Sequence, residues 1–456
     1  MEVIKPYEKY KDSGISWLGE IPEHWKVSKA KHILFQKKKT LNPDLNCGSI
    51  SFGKIVFKDN DRVPFETKAT YQELLKGEFL INPLNLNFDL KSLRTGLSRI
   101  DVVVSTGYIV LQKNSTFNEN YLKWLLHQFD VSFMKTLGDG VRQTLSYTEF
   151  KNTDLPYISV PEQTAIANFL DYKTAKIDRF IFKKKQLIKL LNEQKAAIIN
   201  DAVTKGQNPN AKMKPSGIEW LGEIPEHWEV RKIKSLGNAI IGLTYSPLEL
   251  TDEGKGTLVL RSSNVQNAKI TYDDCVYVTT KIPEKKRTIK GDILICSRNG
   301  SVRLIGKNAI IDEKASGQSF GAFMTIFRSS YFEYLHYFFN SASFKAQSGL
   351  FSTSTINQLT TGILNNILVA IPLDIKEQKL VVSHIEKETS IINKTIATIE
   401  KEIALVQEYR TALTAEAVTG KIDVREYEVP SFEEDKEYAE MEEEMVLVAE
   451  EEINLD

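Results

Sequence analysis

The chain has 456 residues, 42% of them apolar and 26% charged, with a formal net charge of −1, so a buried core is easily supplied and the length suits several domains. Three cysteines without paired spacing argue against a disulfide framework and for a reducing compartment; the opening MEVIKPYEKYKDSG lacks a signal peptide's apolar run, and no stretch approaches the roughly 18 apolar residues of a membrane span, so the chain reads as soluble and cytosolic. Residues 422–456 carry 15 acidic and 2 basic side chains, which leaves residues 1–421 with a net of +12; that suits a polyanion partner as well as an ordinary mixed surface.

The first element is SGISWLGEIPEHWKV at 13–27, which returns as SGIEWLGEIPEHWEV at 216–230, identical at thirteen of fifteen positions with a shift of 203. Repeats decide architecture before anything else does. Trp17, Leu18, Ile21, Pro22 and Trp25, with Trp220, Leu221, Ile224, Pro225 and Trp228, suit a packed strap. His24 and His227 beside those tryptophans read as hydrogen-bonded packing residues, not ligands.

A variable middle follows. PD at 43–44 with ETK at 66–68 formally fits a loose nuclease pattern, in which Asp44, Glu66 and Lys68 would hold a divalent metal and activate water; the second half has no counterpart. KGEFLIN (76–82) reads as a turn feeding a buried strand, DVVVSTGYIVLQ (101–112) as further core strand, and NENYLKWLLHQFDVSFMKTL (118–137) as an amphipathic segment. DLPY (154–157) partly matches the [DN]PP[YF] loop of amino-methyltransferases, but Leu155 stands where proline is expected and no FxGxG element precedes it. The chain has no GxxxxGK[ST] phosphate loop and no zinc-type His/Cys spacing.

From residue 162 to 205 no proline or glycine occurs, and Leu170, Ile177, Lys184, Leu191 and Ile198 fall seven apart, with Ile181 and Ile188 four later than two of them. A Pro/Gly/Asn-rich link (205–216) leads into the second motif and a second middle, where KGDILIC (290–296) and SFGAFMTIFR (319–328) read as core strands and YFEYLHYFFNSASFKAQ (331–347) as amphipathic. A second uninterrupted run, 377–419, places Ile385, Ile392, Ile399, Val406 and Leu413 at the equivalent seam, with Ile396 and Ile403 four later. EQ and AVT recur in the two runs with a shift of 215. The pattern predicts a two-helix coiled coil, each helix about 65 Å long at ~1.5 Å per residue. The short link lets the second helix pack only by running back, so the fold class is α+β: two similar globular domains separated by an antiparallel pair of long helices, pseudo-two-fold symmetric. Domain boundaries fall at 1–155, 156–206, 207–371 and 372–421, with an acidic tail at 422–456. The register expected pairs Leu170 with Leu413, Ile177 with Val406, Leu191 with Ile392 and Ile198 with Ile385, and sets Lys184 opposite Ile399. KKKQLIK (183–189) reads as a solvated outer face or a phosphate track, and the tail as mobile or weakly helical, a candidate shield for the basic body.

WLGEIPEHW opening a variable domain, then an EQ-led helix ending AVT(K)G, all repeated twice, resembles the specificity subunit of type I restriction–modification enzymes over nearly the whole chain to residue 421. The resemblance implies that each variable domain is a target-recognition domain reading one half of a bipartite duplex DNA sequence. It implies that the paired helices set the gap and dock two methyltransferase subunits, which use S-adenosylmethionine, joined by restriction/translocase subunits that use ATP and Mg. This chain would then hold no cofactor or metal, carry no catalytic residue and work in the prokaryotic cytoplasm. Specific readout favours Arg for guanine and Asn or Gln for adenine. On that ground Lys91, Arg94, Arg99, Arg142 and Gln143 are the DNA-binding candidates of the first domain, and Arg261, Asn264, Arg298, Asn299 and Arg303 those of the second. A self-contained metal-dependent DNA endonuclease and a scaffold that no longer reads DNA are the other readings.

Overall fold

The computed structural model describes residues 5–51, 53–59, 63–84, 93–137, 144–349 and 358–430. It divides into two compact units, residues 1–184 with 401–456, and residues 185–400. Two long helices, Val160–Lys205 and Ile375–Val418, each run from one unit into the other.

In the first unit the Trp-rich strap opens with Tyr10–Asp12 antiparallel to Glu20–Pro22. Lys26–Lys29 then pairs antiparallel with Asp154–Tyr157. The DLPY segment is therefore a strand and not a presenting loop, with Asp154 held 2.8 Å from the Lys29 ammonium. A six-stranded sheet follows in the order Leu34–Gln36, Ile109–Lys113, Phe79–Ile81, Thr95–Leu97, Lys54–Phe57 and Gly48–Ser51. All its pairings are antiparallel except that of Lys54–Phe57 with Thr95–Leu97. Phe79, Leu80 and Ile81 are all fully buried, as the continuous apolar run required. The 101–112 stretch makes two strands, Val102–Val104 and Ile109–Lys113. The amphipathic stretch at 118–137 becomes the helix Glu119–Ser132, whose N-terminal amides are capped by the Asn118 side chain. Its buried face (Tyr121, Leu122, Leu125, Phe129) joins Trp25, Phe169, Leu170, Leu413 and Val418 in one core.

The second unit repeats the plan. Met213–Pro215 pairs with Glu223–Pro225, and Glu229–Lys232 with Leu368–Ile371. One four-stranded sheet runs Asn238–Ile241, Met324–Arg328, Ile293–Cys296, Asn308–Ile310; another runs Leu250–Thr251, Tyr277–Val278, Thr257–Leu260, Ser319–Phe320. The aromatic helix Phe332–Phe339 buries Tyr334, whose hydroxyl donates to the carbonyls of Val203 and Ala370. Arg328 forks onto both oxygens of buried Asp292 at 2.8 Å, and that carboxylate holds the guanidinium firmly charged.

Within each unit the two long helices lie antiparallel. In the first, Arg410 is 3.0 Å from Asp178 and Lys184 is 2.7 Å from Glu402; in the second, Lys195 donates to Asn393 at 2.8 Å. These polar partners sit about one turn further along the second helix than the expected register. Lys184 meets a carboxylate instead of Ile399, because its long stem carries the charge out of the apolar seam. Leu170, Ile177, Ile385, Ile392, Ile399 and Leu413 are buried; Ile181, Lys184, Ile188, Leu191, Ile198, Ile396, Ile403 and Val406 are half-buried. The acidic segment begins ordered: Val424 is fully buried and Tyr427 packs edge-on against Phe169; residues 431–456 lie outside the described residues.

Candidate nucleic-acid interface

The repeated motif turns out to be a clamp on the first turn of a helix. In the first unit the Glu162 carboxylate accepts from the Trp25 indole N–H at 2.8 Å and the Tyr7 hydroxyl at 2.7 Å, and His24 Nε2 lies 3.1 Å away. In the second, Glu377 accepts from the Trp228 indole N–H at 2.8 Å, with His227 Nε2 at 2.9 Å. A carboxylate there also complements the helix dipole. The adjoining glutamine ties the same turn down: Gln163 donates to Ile158 O and Gln378 to Pro372 O. The strap touches a helix end as well. Gly206 and Gly420 terminate the long helices with φ of +74° and +72°, and a Cβ on them would meet Trp228 at 3.2 Å and Pro22 at 2.5 Å. Each strap therefore joins the start of one long helix to the end of the other. This explains why the motif is kept twice and why His24 and His227 have a packing role.

Between the strand ends of the second unit lies a cleft of about 670 Å³, lined by Leu243, Tyr245, Arg261, Ser262, Asp274, Arg298, Asn299 and the Gly321–Met324 turn, among others. It gathers three of the five residues expected in this domain. Arg261 is 2.7 Å from the Asp274 carboxylate. Arg298 is exposed and its guanidinium carbon lies 5.2 Å from the centre of the Phe323 ring. Asn299 is half-buried; it donates to the Ser262 hydroxyl at 3.2 Å and accepts from Ser301 N. Beneath the cleft, burial pushes the Cys296 thiol up. Arg303 is exposed but does not line this cleft. Asn264 is fully buried, accepts from Arg261 N and donates to the carbonyls of Thr271 and Asp274, so it holds the loop's shape instead of facing a ligand.

In the first unit Arg99 is half-exposed and pairs with Glu119 at 2.6 Å. Arg94 is turned inward at 6% exposure; its guanidinium donates to Leu84 O and its backbone N–H to buried Asp130. Lys91, Arg142 and Gln143 lie outside the described residues. Phe323, Tyr245 and Asp274 were not anticipated from sequence: an aromatic or an aspartate in a turn carries no signal until the chain brings it beside the arginines. Asp44 and Glu66 are exposed, and among the described residues no group of three or more His, Cys, Asp or Glu could hold a metal ion. Among those residues, too, no helix is long and apolar enough to cross a membrane.

Residues 225–404, which contain this cleft, match the family model of the type I restriction modification DNA specificity domain. In sequence the chain is similar to specificity subunits of type I restriction–modification systems. It is 26% identical over 209 residues to the StySPI specificity subunit of Salmonella potsdam, a stretch that spans only 44% of each chain, so the match covers less than half of that relative. It is 28% identical over 341 residues to the MjaVIII specificity subunit of Methanocaldococcus jannaschii, covering 72% of this chain and 76% of that one. Identity to the putative MjaX specificity subunit of the same organism is 24% over 457 residues, 93% of this chain and all of that one. In fold, it resembles a chain solved in work on complex assembly and conformational transition of the type I R-M system, with a TM-score of 0.57 at 15% identity, covering 88% of this chain and 99% of that one.

Proposed function

We propose that this chain is the noncatalytic DNA sequence-recognition subunit of a type I restriction–modification complex. Its recognition domains are residues 1–155 and 207–371, each reading one half of a bipartite duplex target. The helices at 156–206 and 372–421 set the spacing and dock two methyltransferase subunits, with restriction/translocase subunits joining them. S-adenosylmethionine, ATP and Mg belong to those partners, and the assembly works in the cytoplasm. The match of residues 225–404 to a DNA specificity domain carries the reading, and the duplicated clamp supports it. Arg99 in the first domain and Arg261, Arg298, Asn299 and Arg303 in the second are the described residues we assign to DNA, with Lys91, Arg142 and Gln143 alongside them.

The test is selection of duplexes from a randomised library by the full-length chain, followed by sequencing. Two unlike half-sites at a fixed separation are expected, since loops that differ between pseudo-symmetric halves read different bases. A single contiguous motif, or cutting of DNA by the purified chain with magnesium alone, overturns the reading.

A further inference from the structure

We infer that Phe323 and Arg298 act as one reading element, the guanidinium taking a guanine and the ring receiving the 5-methyl group of an adjoining thymine. The inference rests on the DNA-recognition reading above and adds to it a residue and a base step. Three observations carry it. First, the two groups are coupled through the main chain as well as through their faces. The Phe323 carbonyl accepts from both Ser297 N at 2.9 Å and Arg298 N at 3.1 Å, so the loop bearing the cation is tied to the turn bearing the ring. Second, the turn is seated firmly. Met324 N donates to Gly321 O at 2.9 Å, and Gly242 lies so near that a Cβ there would fall 2.0 Å from Gly321 O. Phe323 is nevertheless 59% exposed, an apolar ring held out into the cleft mouth by a backbone that has no room to withdraw it.

Third, the cation is uncommitted. Among the described residues Arg298 forms no ion pair, whereas Arg261 is held by Asp274 and Arg328 by Asp292. The neighbouring Asn299 braces the same loop, donating to the Ser262 hydroxyl and accepting from Ser301 N. A guanidinium lying over an aromatic face keeps its fork of N–H donors free at the rim, and that fork matches guanine O6 and N7. The ring is then left to contact the next base along, where a thymine methyl is the apolar group the major groove offers.

The experiment repeats the library selection with the full-length chain and its variants. Wild type is expected to select a half-site containing a guanine beside a thymine. R298A and R298K should both lose preference for that guanine by roughly tenfold or more, leaving the other half-site unchanged. F323A should lose the thymine preference, and F323L, which keeps apolar bulk, should retain part of it. Replacing that thymine by uracil, which removes only the methyl group, should weaken wild type and leave F323A unaffected. The inference is overturned if wild type selects a bipartite target and R298K and F323L select it with undiminished preference at every position, or if uracil replacement leaves wild-type affinity unchanged. If wild type enriches no sequence, it is the DNA-recognition reading that fails.

Discussion

Deleting the carboxylate at residue 162 is the sharpest test of the clamp, because the two copies are unequal. Glu162 is 3% exposed and serves two buried donors, the Trp25 indole and the Tyr7 hydroxyl. Burial and the carboxylate itself push the Tyr7 phenol far above its ordinary value, so it stays protonated and cannot relieve its loss by ionising. Leaving a buried donor unsatisfied costs roughly 1–3 kcal/mol, so Glu162→Ala should destabilise the first unit by about 2–6 kcal/mol. His24, with a side chain 48% exposed, turns to water and adds little. In the second unit Glu377 has one buried indole donor, and the His227 side chain is 59% exposed, so Glu377→Ala should cost only about 1–3 kcal/mol. Amide hydrogen exchange of the first helical turns, 162–167 and 377–382, reads each unit separately, and calorimetry gives the totals. Equal losses at the two sites, or a larger loss from Glu377→Ala, would refute the reasoning.

Arg410 reaches Asp178 across the two long helices of the first unit at 3.0 Å, so the double variant D178C/R410C should be joined by a short bifunctional thiol cross-linker, seen as a mobility shift; no shift would contradict the antiparallel pairing within the first unit. Burial pushes the imidazoles of His127 and His336 down to about 4, the former helped by Arg410 and Lys123. The unfolded chain takes up those protons near pH 6.5 while the native state refuses them, so stability should fall as pH drops from about 6.5 to about 4 and then level off with respect to these groups. His336→Gln should flatten that slope in urea midpoints measured at pH 7 and pH 4.5, and a variant with the wild-type slope would show that the imidazole is not the source.

The long helices were legible because heptad spacing is a local pattern, and Ile385, Ile392 and Leu413 are buried where that pattern put them. Their polar pairing was not, since Lys184 can reach either of two neighbouring turns and sequence does not say which one offers Glu402. The strap's importance was visible in its repetition, yet its mechanism was hidden: His24 and Trp25 meet a glutamate nearly 140 residues away. In the cleft, Arg298 and Asn264 read alike as loop residues that could face a base. Only the folded main chain reveals that one projects outward while the other is consumed by the carbonyls of Thr271 and Asp274. Arg94 fails as a candidate for the same reason, being drawn inward by Leu84 O.

The first unit is stitched from both ends of the polypeptide, whereas the second is one unbroken stretch. During synthesis the opening 184 residues therefore emerge lacking Leu413, Ala417, Val418 and Val424, all of which their core requires. The earlier-made unit therefore waits as an unfinished body until the whole of the second unit has been synthesised and the segment that completes its core follows.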